Sequence, residues 1–129
     1  MKTRLNPFDK FLENFHTPKV ITDDYESAYE AVNHLIKKGY RRIAHINGLL
    51  EVKNSMDRLK GYKKALEDAG LEFREEWVQH CKNISEEEGY QFAQELLNLP
   101  QPPDAFFCIT DLVALGVMNY LKSQGIQVP

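Results

Sequence analysis

Long apolar runs, paired cysteines, metal-ligand spacings and an excess of basic charge are all missing from this chain, and each absence narrows what it can be. No run reaches the roughly 18 apolar residues of a membrane-spanning helix. Met1-Lys2-Thr3-Arg4 leads into Asn6, Pro7, Asp9 and Lys10 instead of an apolar signal core. A cytoplasmic protein with no membrane partner is therefore expected. The two cysteines, Cys81 and Cys108, form no C-x-x-C unit and sit in apolar segments, so they read as reduced core thiols. With 16 Lys+Arg against 19 Asp+Glu, the formal charge is −3, which gives no global basic field for phosphate backbones. His16, His34, His45 and His80 show no metal-ligand spacing, and H-E-x-x-H and G-x-S-x-G are both absent. Neither G-x-G-x-x-G nor G-x-x-x-x-G-K-[ST] occurs, so no nucleotide cradle, cofactor or metal site is indicated and no enzyme is expected.

What is present suits one globular α/β domain. The chain has 129 residues, of which 43% are hydrophobic and 11% aromatic, enough to bury a core without metal or disulfide staples. Apolar segments alternate between short runs and longer helical periods. Thr17–Thr22 is a short extended segment, after which Asp23 or Asp24 caps a helix presenting Ala28, Ala31, Val32, Leu35 and Ile36 and stopping at Gly39. Ile43–Ile46 reads as a buried parallel strand with His45 as a satisfied core histidine, and it ends in Asn47-Gly48. A second helix starts near Asn54 or Ser55, shows Leu59, Tyr62, Ala65 and Leu66, and stops at Gly70. Trp77–Cys81 is a weaker strand. Ser85 and Glu88 spell a capping box for a helix carrying Ala93, Leu96 and Leu97, closed by Pro100, Pro102 and Pro103. Ala105–Ile109 is the clearest strand. Thr110-Asp111 supplies its polar exit and the next N-cap, and Leu112, Leu115, Met118 and Leu121 form the last helical stripe before Gly125.

Strand and helix alternating four times imply a three-layer fold, a parallel sheet with helices on both faces. In open sheets of this kind, ligands collect outside the carboxyl ends of the strands. Those ends here are Asp23-Asp24, Asn47-Gly48, Asn83-Ile84-Ser85 and Thr110-Asp111, each followed by a helix N-terminus whose N–H groups favour hydroxyls or anions. The same polar residues also serve as ordinary helix caps. Asp23-Asp24 lacks the downstream acceptor aspartate and the lysine before proline that a phospho-accepting receiver domain needs.

One segment is more specific. Lys37-Lys38-Gly39-Tyr40-Arg41-Arg42-Ile43-Ala44-His45-Ile46-Asn47-Gly48, followed by Asn54-Ser55-Met56-Asp57-Arg58-Leu59-Lys60-Gly61-Tyr62, resembles the effector-binding core of the LacI/GalR family of bacterial transcription regulators. Glu88-Gly89-Tyr90, the stretch from Pro103 to Gly116 and the terminal Gly125-Ile126-Gln127-Val128-Pro129 are similar to further motifs of that family in the same order. The resemblance covers about Val20 to Pro129. It implies one lobe of a periplasmic-binding-protein-like clamshell: residues 20–129 would be the second lobe, cut before its last strands. Residues 1–19 would be a remnant of the first lobe or a lead-in, with Pro7-Phe8-Asp9-Lys10 faintly similar to the end of that lobe.

The resemblance also implies a site. Arg58 stands at the effector-contacting arginine, where a planar five-donor fork suits vicinal hydroxyls or a carboxylate; the less favoured alternative is an exposed helix arginine paired with Glu51 or Glu86. Asn54 takes the small polar position one turn earlier, and Asn47 ends the strand beside it. Thr110 replaces the family's usual asparagine before Asp111, which shortens the reach of any contact. Ile84 stands where relatives place a stacking aromatic, leaving sugar and nucleoside effectors both open. Leu112, Leu115 and Met118 belong to a helix apolar on more than one face, which implies a homodimer interface. The function implied is sensing of a small molecule between two lobes, with DNA reached only through a headpiece absent from this chain. The other reading is a solute-binding protein of a sugar transport system with the same fold.

Overall fold

The computed structural model describes residues 18–22, 28–51 and 53–126; the readings at Asp23, Asp24, His16, the first ten residues and the last three lie outside them. The described residues form β1 (Lys19–Thr22), α1 (Ala28–Lys37), β2 (Ile43–Asn47), α2 (Lys53–Asp68), β3 (Val78–His80), α3 (Glu86–Leu97), β4 (Ala105–Cys108) and α4 (Asp111–Ser123). All strand pairs are parallel and the sheet order is β1-β4-β2-β3, with Ile43 opposite Ala105 and His45 opposite Val78.

Pleating sorts the central strands onto two faces. Ile43, Ala105 and Phe107 meet Ala31, Val32 and Leu35 of α1 and Tyr62, Ala65 and Leu66 of α2. Ala44, Ile46, Phe106 and Cys108 meet Ala93, Leu96 and Leu97 of α3 and Val113, Val117 and Leu121 of α4. Both faces being covered explains why all five residues of β2 are buried and why the strand reads as an apolar run, not an alternation. The expected three layers are present.

Helix ends follow local chemistry. Gly39 and Gly70 stand at φ 105° and 70°, the left-handed backbone that closes a helix at little steric cost. Ser85 caps α3, its hydroxyl accepting from the Glu88 N–H at 3.2 Å. The reciprocal half of the expected capping box is absent. The Glu88 carboxylate accepts instead from the N–H groups of Asn83 (2.9 Å) and Lys82 (3.1 Å), tying down the β3–α3 loop. Trp77 lies in a 3₁₀ turn (Glu75–Trp77) ahead of β3 and not in the strand, its indole N–H donating to the Gln101 carbonyl at 3.1 Å.

The last helix departs from the expected stripe. Its buried side is Val113, Ala114, Val117, Tyr120 and Leu121, while Leu112 and Leu115 are 47% and 42% exposed. Helices α3 and α4 cross with backbones nearly touching. A methyl on Gly116 would fall on the Glu86 carbonyl oxygen, and one on Gly89 on that of Val113. Glycine in the Glu88-Gly89-Tyr90 and Ala114-Leu115-Gly116 motifs is thus demanded by close approach.

At the opposite end of the strands, Asp104 is fully buried and its carboxylate accepts from the Arg42 N–H at 2.9 Å and the Arg41 N–H at 3.1 Å. Burial raises its pKa above the ordinary carboxylate value, these hydrogen bonds opposing the rise. The basic turn is therefore pinned to the start of β4.

Candidate functional site

The sheet order makes β2 and β4 neighbours, and the chain leaves them on opposite faces. From β2 it enters α2, packed with α1; from β4 it enters α4, packed with α3. Connections that diverge from adjacent strands open a crevice at their carboxyl ends, the topological switch point of an open sheet. Asn47-Gly48 and Ile109-Thr110-Asp111 stand at those two carboxyl ends. Gly48 keeps them together: a Cβ there would meet both Ile109 Cδ1 and Ser55 Oγ at 3.0 Å.

Asn47 is the hub of this region. Its Nδ2 donates to the Ser55 carbonyl at 2.8 Å, and its Oδ1 accepts from the Gly48 N–H at 2.9 Å and from Arg58 Nη1 at 3.1 Å. Its backbone carbonyl accepts from the Cys81 N–H at 2.7 Å. The Gly48 carbonyl accepts from His80 Nδ1 at 3.1 Å, so that nitrogen carries a proton. Asn47 is 0% exposed. Among the sequence-predicted residues, Arg58 and Asn47 are therefore brought into direct contact, with Asn47 beneath the surface and Arg58 half-buried above it.

The other predicted residues occupy the same edge by topology. Asn54 is exposed in the first turn of α2, which begins at Lys53, a residue earlier than expected. Thr110 caps α4, its Oγ1 accepting from the Val113 N–H at 3.2 Å, and Asp111 follows it, exposed. Ile84 is exposed in the loop ahead of α3. Of the predicted interface residues, Leu112 and Leu115 face outward, whereas Met118 is half-buried against the core.

His45 lies behind the hub on the same face of β2. Its Nδ1–H donates to the Phe107 carbonyl at 3.0 Å, and its ring stacks on Phe107 at 4.8 Å and tilts against Tyr62 at 5.1 Å. The expected satisfied histidine is only half satisfied, because Nε2 is buried without a partner. Burial lowers its pKa to about 3, and the nearby Arg58 and His80 push the same way, so the ring is neutral. Sequence reasoning missed Ser55 and His80 as supports of the hub, since backbone carbonyl contacts carry no residue signature.

Two hollows lie away from the crevice. A groove of about 860 Å³ runs along the exposed side of α3 past Glu87, Tyr90 and Gln91 to Leu112, and a smaller one of about 300 Å³ lies between β1, His34 and Met118. Among the described residues no group of three or more His, Cys, Asp or Glu could hold a metal ion, and no helix is long and apolar enough to cross a membrane.

Comparison with known proteins agrees with the fold. Residues 9–129 match the family model of periplasmic binding proteins and sugar binding domain of the LacI family. The chain is 36% identical over 121 residues to the HTH-type transcriptional repressor CytR of Escherichia coli strain K12, covering 94% of this chain and 35% of that protein. It is 34% identical over 114 residues to the HTH-type transcriptional repressor PurR of Actinobacillus pleuropneumoniae serotype 5b, covering 88% and 34% respectively. Among solved structures, the transcription regulator CcpA of Lactococcus lactis superposes with a TM-score of 0.73 at 30% identity, over 100% of this chain and 52% of that one. The chain thus spans about a third of the length of the curated relatives it matches. By sequence match, fold and motif order, this chain belongs to the family of periplasmic binding proteins and LacI-type sugar-binding domains.

Proposed function

We propose that the chain is the effector-sensing part of a transcriptional regulator, and that the crevice between the carboxyl ends of β2 and β4 takes one side of a small polar effector. The observation that carries the reading is the Arg58 guanidinium held by buried Asn47 at the switch point, and the motif resemblance, which implies an effector-contacting arginine at this position, supports it. Arg58 supplies the directional donors, Asn54 and Thr110 flank it with short polar groups, Asp111 adds an acceptor, and Ile84 offers an aliphatic wall. Residues 20–129 act as the second lobe, and an opposing lobe closes over the effector. Binding that differs between open and closed arrangements shifts their populations and thereby operator affinity. The protein acts by binding and not by catalysis.

The relatives named as repressors favour this reading over a transport solute-binding protein of the same fold. The exposed Leu112 and Leu115 support a homodimer built on α4. A thermal-shift screen of sugars, nucleosides and sugar acids on the intact protein tests the site. A hit whose shift disappears in Arg58→Ala is expected; a hit with an unchanged shift in that variant removes Arg58 from the site.

A further inference from the structure

We infer that Asn47 is a positioning residue, one that presets the Arg58 guanidinium before any effector arrives; this deepens the effector-site reading and rests on it. Asn47 has no exposed surface in this arrangement, so it acts on a ligand only through Arg58. Both ends of its carboxamide hold α2. The Nδ2 end grips the helix backbone at the Ser55 carbonyl, and the Oδ1 end grips Nη1 of Arg58, three residues further along the same helix. The one carboxamide therefore fixes the first turn of α2 and the arginine it carries to the end of β2.

The hub is itself anchored on three sides. Gly48 N–H donates to the same Oδ1, His80 Nδ1 holds the Gly48 carbonyl, and Cys81 N–H holds the Asn47 carbonyl. Ile109 and Ser55 leave no room for a side chain at position 48. Few side chains could replace Asn47. The site needs an acceptor for two N–H donors and a donor for one carbonyl within a single short planar group, which a carboxamide alone supplies. An arginine has many rotamers to lose when it engages a ligand, and holding it beforehand removes that loss from the binding step.

The test reads Arg58 directly and uses no ligand. Side-chain ¹⁵N spectra of the labelled 129-residue chain are recorded at low temperature, with Arg58 assigned by comparison with Arg58→Lys. The wild type is expected to give resolved Nη resonances for Arg58. Asn47→Leu removes the acceptor and should speed Nη exchange roughly tenfold, the scale set by one hydrogen bond to a charged donor, while backbone resonances far from the hub stay in place. Averaged Arg58 signals in the wild type, or resolved ones in a folded Asn47→Leu, would overturn the inference. Should Asn47→Leu fail to fold, the wild type decides: a coupling carried across the hydrogen bond from Arg58 Nη1 to the Asn47 carboxamide carbon is expected, and its absence beside resolved Arg58 Nη resonances would overturn the inference. A preset Arg58 with no effector in the screen would count against the effector reading alone, and a mobile Arg58 with a clear hit against the positioning role alone.

Discussion

Replacing His45 with glutamine should flatten the acid side of the stability profile. The imidazole is fully buried with Nδ1–H committed to the Phe107 carbonyl and Nε2 unpartnered, so adding a proton would place a charge in the core beside Arg58. Its folded-state pKa of about 3 lies below the ordinary 6.5. A depressed value in a base means that the unfolded chain takes up the proton first. Stability is therefore complete above pH 6.5 and falls as the pH drops toward about 3, by about 1.4 kcal/mol per unit and roughly 4–5 kcal/mol over the interval. That is a large share of the ~5–15 kcal/mol that holds a domain together. Asp104 works in the opposite sense. Its raised pKa lets the folded state keep a proton that the unfolded chain releases, so its contribution is present at low pH and is lost as the pH rises through the folded value. Over the interval from pH 6.5 to 5.5 the difference between wild type and His45→Gln isolates His45, because Asp104 and the other histidines are common to both proteins. Urea unfolding followed through Trp77, the single tryptophan and a buried one, gives the measurement at pH 7.5, 6.5, 6.0 and 5.5. The wild type should lose about 1 kcal/mol across that last unit, since the unfolded histidine is only half protonated at its start, and His45→Gln should lose much less. Equal slopes in the two proteins would refute the reasoning.

Three further outcomes follow from the packing. Gly116→Ala should destabilise by about 3 kcal/mol in urea melts, because its methyl must displace the Glu86 carbonyl of α3; a loss below about 0.5 kcal/mol would mean that the two helices part easily. Asp104→Ala leaves the Arg41 and Arg42 N–H groups without their acceptor and should cost about 1–3 kcal/mol, with faster amide exchange at those two residues; unaltered exchange there would contradict the pinning. Burial and the neighbouring Glu88 push the Cys81 thiol up to about 12, and burial pushes Cys108 up as well. Both should resist iodoacetamide at pH 8 in the folded chain and react in urea, whereas rapid labelling of the native protein would show that the core opens.

Much of this fold was legible in the sequence because its local signals are physical constraints. Gly39 and Gly70 mark helix ends by left-handed backbone, and the apolar run at Ile43–Ile46 marks a strand covered on both faces. The outward side of α4 was harder. Leu112 and Leu115 are as apolar as Val113 and Val117, and periodicity cannot say which of two apolar sides meets the sheet. Trp77 was misplaced for a related reason: a large apolar residue next to a strand fills the core equally well from a 3₁₀ turn. At the candidate site, motif spacing points to Arg58 and Asn54 and a helix-capping position to Thr110. The hydrogen bonds of Asn47 are not legible there, since they join it to a side chain eleven positions away and to the backbone of Ser55.

Mapping an effector onto the protein tests the central claim most directly. With a hit from the thermal-shift screen, backbone amide shift perturbations in the labelled intact protein should cluster at Gly48, Asn54, Arg58 and Thr110, around the carboxyl ends of β2 and β4. Perturbations confined to the groove beside Tyr90 and Gln91, or to the opposite end of the strands at Arg42 and Asp104, would contradict it.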